Sequence, residues 1–247
     1  MQRVLESGQA KEMEFRISAK NLGALALPGF CPRCGWIKLR LGSKLPFQIF
    51  PGIFSSIDSY TKKVVHGTFD TTGAFPPYIE RLGAIARYVD PPHYTKFKRL
   101  DPMSGVLIWG TPDAILQLKD GSYVIADYKT ARYTKHADSL APMYDVQLNS
   151  YAFIGEENGV SPVSSLALLY FEPETTEENA ISKESAMEHG FRMGFRCTIK
   201  PVERDPSLVT GLLQMAADLM RLDSPREGRD GCKDCAKLDG LLKVAGD

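Results

Sequence analysis

Two short stretches of this chain carry residue types that can do hydrolytic chemistry. Gly110-Thr111-Pro112-Asp113 and Asp127-Tyr128-Lys129-Thr130 flank Lys119-Asp120-Gly121-Ser122, a turn sequence between β-prone segments. Side chains alternate along a strand, so Asp127 and Lys129 share one face while Tyr128 takes the other. Thirteen residues separate the two aspartates, and hairpin pairing can set Asp113 beside the face that bears Asp127. Two carboxylates and the Tyr128 carbonyl then make a hard, oxygen-rich donor set suited to Mg²⁺ or Mn²⁺. Such an ion polarises a scissile phosphate and lowers the pKa of a bound water, and Lys129 can stabilise the developing negative charge. Ile125 and Ala126 place these charges at the end of an apolar strand, where a charge without a partner or metal is costly.

A second, softer chemistry sits near the two ends. Cys31 and Cys34 form Cys-Pro-Arg-Cys, Cys232 and Cys235 form Cys-Lys-Asp-Cys, and Cys197 stands alone. Five cysteines do not describe a disulfide scaffold in a chain of this size. Paired C-x-x-C spacings in a reducing cell are a metal-ligand pattern, which predicts that Cys31, Cys34, Cys232 and Cys235 share one centre. Thiolates suit both Zn²⁺ and an iron–sulfur cluster, so softness leaves the two open. In either case the metal ties the N-terminal region to the C-terminal tail and closes the long loop between them. Cys197 reads as strand packing.

Elements must exist to hold these groups in place. Ser18–Leu27 reads as a short helix with Ser18 as N-cap, stopped by Pro28-Gly29. Pro51–Val65 has a helical period, with Ile53, Ile57, Tyr60 and Val64 on one side. Gly105–Leu118 and Tyr123–Lys129 form the hairpin, with Asp113 inside its first strand. Leu140–Glu157 is helical, Ser164–Phe171 is a buried-type strand, and Gly194–Lys200 is another strand. Ser207–Leu222 is an amphipathic helix with Leu208, Leu212, Met215 and Leu219 on its apolar face. The sum is an α/β fold, a small mixed sheet flanked by helices.

Composition narrows the class. The chain has 247 residues, 43% hydrophobic and 24% charged, which is ordinary for a globular protein and excludes disordered or collagen-like structure. No linker divides it, so one domain is expected over 1–247, with a core at about 50–222 and cysteine-bearing regions at 1–49 and 223–247. Thirty basic residues balance thirty acidic ones, so a uniformly basic coat for nucleic acid is absent. Locally the balance is uneven. Six basic residues stand against Asp58 between Arg33 and Lys63, a stretch that can follow a phosphate backbone, and six glutamates stand against Lys183 between Glu172 and Glu188. Trp36, Phe47, Phe50 and Phe54 interleave with the basic stretch, and basic and aromatic residues together can hold single strands. Phe54, on a helix, reads as core. No apolar run approaches the ~18 residues of a membrane span, and Met1–Lys20 has no apolar core of a secretory signal, so the expected compartment is the cytoplasm. No dinucleotide fingerprint or Walker loop is present.

Pro112-Asp113, Asp127-Tyr128-Lys129 and Gln147-Leu148-Asn149-Ser150-Tyr151, in that order, resemble the PD-(D/E)XK nucleases, specifically their RecB-like branch. The last element looks like the branch's Q-x-x-x-Y helix, with Gln147 and Tyr151 on one helical face. The resemblance is close from Gly110 to about Phe171 and loose over the rest. It implies a restriction-endonuclease-like αβββαβ core and metal-dependent hydrolysis of DNA phosphodiesters. Asp113 and Asp127 would bind the metal, Lys129 would act beside it, and Gln147 and Tyr151 would orient the substrate. It also implies a histidine ligand upstream of Pro-Asp. His66 stands at the corresponding distance, with Gly67 after it where the branch has a glycine before; His93, His136 and His189 read as surface residues.

The cysteines extend the likeness to CRISPR-associated nucleases and to helicase–nuclease complexes of this branch, which hold an iron–sulfur cluster on one N-terminal and three C-terminal cysteines. Cys31-Pro32-Arg33 reproduces the first ligand's setting, but here two cysteines lie at each end. The expected function is a DNA exonuclease acting on single-stranded or frayed ends, with a helicase or a CRISPR integration complex as partner and no membrane. The competing class is a non-catalytic nucleic-acid-binding or assembly module with the same cysteine clamp, against which the complete Asp113, Asp127 and Lys129 count.

Overall fold

The computed structural model describes residues 15–42, 51–133 and 139–246. In chain order the elements are β1 (Phe15–Ser18), α1 (Ala19–Ala24), α2 (Pro32–Arg40), α3 (Gly52–Thr72), α4 (Pro77–Glu80), β2 (Ile85–Val89), β3 (Lys98–Asp101), β4 (Val106–Trp109), β5 (Ala114–Leu118) and β6 (Tyr123–Lys129). There follow α5 (Ala141–Glu157), β7 (Val163–Pro173), α6 (Glu177–Ala180), β8 (Ala186–Met187), β9 (Gly190–Phe191), β10 (Phe195–Val202), α7 (Ser207–Arg221) and α8 (Lys233–Gly246). Among the described residues no helix is long and apolar enough to cross a membrane.

The main sheet has the order β10-β7-β6-β5-β2 and is mixed: β6 and β7 run parallel, the other neighbours antiparallel. A parallel pair needs a crossover, and α5 supplies it. Alternation along the strands sorts the core into two layers. Ile115, Ile125, Leu166 and Leu168 face α1, α5 and α7, while Leu116, Val124, Ala126, Tyr128 and Leu169 face Val65 of α3 and Phe75 and Ile79 around α4. Omitting the one-turn α4 and the β3–β4 insertion, the order α3-β2-β5-β6-α5-β7 is αβββαβ, the restriction-endonuclease-like arrangement of a mixed sheet between helices. The insertion pairs with β1 in a separate sheet of order β1-β4-β3.

Several sequence expectations need correction. Gly105–Leu118 is not one strand: it breaks at Gly110–Asp113, β4 goes to the small sheet and only β5 pairs with β6. Pro112 has no amide hydrogen for a ladder, and the break frees Asp113 to turn toward the end of β6. Helix α3 runs past Val65 to Thr72, with the Thr68, Thr71 and Thr72 hydroxyls donating to carbonyls four residues back, and Gly73 closes the end at φ +71°. Its inward face carries Thr61 and Val65, leaving Ile53, Tyr60 and Phe54 exposed, so Phe54 is not core. Val64 and Val65 straddle two faces, and Val65 with Phe69 meets Phe75 and Ile79. On α7 the buried set is Val209, Leu213, Ala216, Ala217 and Leu219, with Leu208 exposed, because the two alanines let the helix approach closely. Phe47, Phe50 and His136 lie outside the described residues.

Candidate active site

The β5–β6 hairpin and α5 build one polar pocket into an otherwise apolar layer. Ile125 faces α5, so by alternation Asp127 and Lys129 do too, while Tyr128 turns into the opposite layer against Tyr78 and Phe171. Helix α5 returns Gln147 and Tyr151 on one face, four residues apart. Lys129 Nζ lies 3.3 Å from Gln147 Oε1, forms a close ion pair with Asp127 and sits 4.2 Å over the Tyr144 ring. Gln147 Nε2 donates to Tyr151 Oη at 2.8 Å. Tyr151 in turn presses on the chain that leads to Asp113: a Cβ on Gly110 would meet its ring at 2.8 Å, so only glycine fits there.

Asp113 reaches the same place from the strand break. Its Oδ2 accepts the Tyr128 backbone N–H at 2.8 Å, which brings its charge beside the Asp127 carboxyl. Asp127 is only 4% exposed. Burial pushes its carboxyl up to about 7, the neighbouring Asp113 charge adds to the rise, and Lys129 opposes it. Tyr151 is also pushed up, by burial and then by Asp127.

The sequence reading missed Lys62. It projects from α3 and bridges Asp58 Oδ2 at 2.9 Å and Asp113 Oδ1 at 2.7 Å. Burial lowers its pKa, but the two carboxylates outweigh this and raise it. The D-x-x-x-K spacing of Asp58 and Lys62 was the available signal, an i,i+4 pair on one helical face; it did not reveal that Asp113 would join. His66, one turn on, stacks flat on Tyr88 with centroids 4.2 Å apart. Its nitrogens are not gathered with Asp113 and Asp127 at mutual ligand distance; among the described residues only the four cysteines form such a group. His93 and His189 are exposed.

The donor set fits a divalent cation. Two adjoining carboxylates, one of them buried and holding its proton to about 7, are balanced here only by lysines, and a hard cation would neutralise both.

The cysteine centre lies apart from this pocket. Cys31 precedes α2 and Cys34 is within it; Cys232 precedes α8 and Cys235 is within it. The four Sγ atoms all lie within 4.8 Å of one another, with Cys31–Cys235 at 3.5 Å, Cys34–Cys235 at 3.4 Å and Cys34–Cys232 at 3.7 Å. Burial pushes the Cys31 thiol up, but the Cys34 and Arg229 amides and the thiols of Cys235 and Cys232 outweigh this and lower it to about 6. Cys34 is raised, by burial and by its neighbours. Arg33 clamps Asp239 with two bonds of 3.1 and 2.6 Å, and Trp36 Nε1 donates to the Leu222 carbonyl at 3.0 Å. The ends of the chain are thus joined as the spacing predicted, and the site fits a thiolate-bound metal. Cys197 is half-buried on β10, against the layer that holds Tyr128.

Against known families, residues 57–238 match the PD-(D/E)XK nuclease superfamily. No curated protein matches the chain. Among solved structures, the crystal structure of SSO0001 is similar at 15% identity and a TM-score of 0.34, covering 89% of this chain and 82% of that one.

Proposed function

Because the chain belongs to the PD-(D/E)XK nuclease superfamily, we propose that it is a deoxyribonuclease that degrades DNA from single-stranded or frayed ends, as a RecB-like exonuclease. The observation that carries this reading is the convergence of Asp113, Asp127, Lys129, Gln147 and Tyr151 at the end of β6. Asp113, Asp127 and the Tyr128 carbonyl would hold Mg²⁺ or Mn²⁺, with His66 as a further ligand. When bound, the cation supplies polarisation of the scissile phosphate and a more acidic water. Lys129 sets its ammonium where phosphate charge develops, held in line by Gln147 Oε1 and the Tyr144 ring. Tyr151 accepts from Gln147 Nε2 and fixes the amide that holds Lys129, and through that lysine the two would orient the substrate.

In the same reading residues 1–247 act as one domain, its core at about 50–222 fastened by the cysteine-bearing ends. The sulfur spacing favours a single ion over an iron–sulfur cluster. A tetrahedron with Zn–S near 2.3 Å sets sulfurs about 3.8 Å apart, whereas a cubane of four irons holds its cysteine sulfurs farther apart than the 4.8 Å that spans all four here. A cysteine metal centre of this kind suits a reducing cytoplasm. A helicase, or an integration complex of the CRISPR type, would deliver the ends.

The test is degradation of end-labelled single- and double-stranded DNA with Mn²⁺, Mg²⁺ or chelator, comparing wild type with Lys129→Ala. Cleavage lost in both the chelator and the variant, by at least about 10²-fold, is the expected result. A folded, metal-loaded wild type that binds DNA and never cuts it overturns the reading in favour of a binding module.

A further inference from the structure

Both carboxylate oxygens of Asp113 are engaged, but by partners of different kinds. Oδ2 accepts the Tyr128 amide at 2.8 Å, a backbone bond that fixes the carboxylate to β6. Oδ1 meets Lys62 Nζ at 2.7 Å, and that ammonium sits at the end of a flexible four-carbon stem. An arriving cation therefore contends with Lys62 for Oδ1, and two like charges at one oxygen repel. Lys62 can yield without leaving the site. Asp58, one turn back on α3, still holds it at 2.9 Å.

Lys62 and Lys129 reach the aspartates from opposite layers. Helix α3 packs on the Tyr128 side of the sheet, whereas Lys129 points to Gln147 of α5. Lys62 is the more open of the two, 34% exposed against 16%, so a strand arriving from solvent meets it first. It also lines a cavity of about 650 Å³ along α3, beside Lys63 and His66. The charges of the ion-paired set fit a phosphodiester. Once ionised, Asp58, Asp113 and Asp127 exceed the two lysines by one negative charge. A divalent cation turns that excess into one positive charge, the complement of a single phosphodiester; with Lys62 removed, the loaded set would be neutral.

We propose that Lys62 is a substrate-binding residue, passing from Asp113 to a phosphate of the DNA strand when a divalent cation takes Asp113; the proposal rests on the nuclease reading above. Lys62 then couples the two ligands reciprocally. The cation frees an ammonium for DNA, and bound DNA draws a competitor away from the cation's oxygen.

Labelled oligothymidylate, followed by anisotropy over a salt series, tests this in chelator and in saturating Ca²⁺, a hard cation that takes oxygen donors. Wild type is compared with Lys62→Met and Lys62→Arg, and melting confirms that all three are folded. In Ca²⁺, Lys62→Met should bind about fivefold more weakly than wild type. Its slope of log affinity against log salt should be shallower by about 0.7, the loss of one phosphate contact. In chelator the slopes should coincide, because Asp113 then holds Lys62. Lys62→Arg, which keeps the charge, should restore the wild-type slope in Ca²⁺. A wild-type slope and affinity for Lys62→Met in Ca²⁺, while wild type cuts DNA with Mn²⁺, overturns the role and leaves the nuclease standing. The same loss of slope in chelator as in Ca²⁺ would make Lys62 a fixed phosphate contact and overturn the exchange. Wild type that neither binds nor cuts any DNA removes the nuclease reading itself.

Discussion

The pocket at β6 and the cysteine centre are both suited to a cation, yet they are made in opposite ways. At β6 the donors are hard oxygens on β6 and the strand break just before β5, and the chain has its own cations, Lys62 and Lys129, against them. At the cysteine centre the donors are soft sulfurs contributed by stretches about 200 residues apart, with Cys31 and Cys235 separated by 204 positions. There the thiols have mainly each other and a few backbone amides. A cation at β6 would displace existing partners and act on a substrate. A cation among the cysteines would replace weak sulfur contacts and act on the fold. The two should therefore fail differently.

The largest separation of the two sites should come from Cys235→Ser. Cross-linking so long a loop is worth on the order of 4 kcal/mol, about 8–16 °C in Tm for a chain of this size. Cleavage per folded molecule at low temperature should stay near wild type. A Tm unchanged within a degree, with stoichiometric metal retained, would remove the structural role.

A smaller effect should appear at β6 alone. The Asp127 carboxyl, raised by burial to about 7, must ionise to take a cation, so binding releases a proton below that pH and none above it. Mn²⁺ affinity should fall about tenfold per unit as pH drops below about 7 and be flat above it, followed by titration of the apoprotein. Asp127→Asn should abolish the step together with cleavage, and a pH-independent wild-type affinity would break the assignment. Lys62→Met should show the smallest change. Removing a partly exposed ion pair worth up to about 1 kcal/mol frees Asp113 and should tighten Mn²⁺ binding up to about fivefold without DNA. Weaker binding would show that Lys62 supports the ligand set instead of competing with it.

These contrasts also explain what could be read from the chain. The β6 site was legible because its parts obey local rules: alternation put Asp127 and Lys129 together, and helical spacing put Gln147 beside Tyr151. Lys62 was not, since its partner Asp113 lies 51 positions on and no local period links α3 to a strand break. The same holds for Phe54 and the outer residues of α3, whose helical period was right but whose inward face was decided by Phe75 and Ile79. The split of Gly105–Leu118 between two sheets escaped because β propensity does not say with which neighbour a strand pairs. His66 was read for its position in a resemblance, whereas Tyr88, on a strand 22 positions later, holds its ring.

The cysteine clamp also has a consequence for how the protein is born. Cys31 leaves the ribosome about 10–40 s before Cys235 at ordinary elongation rates of about 5–20 residues per second. Throughout that interval the first two thiols lack Cys232 and Cys235, while the β5–β6–α5–β7 unit, complete at Pro173, is free to fold before its end. An ion held by all four sulfurs can be acquired only when Cys232 and Cys235 emerge, so its capture would follow the synthesis of α8, and a chain stopped short of Cys232 would stay unfastened.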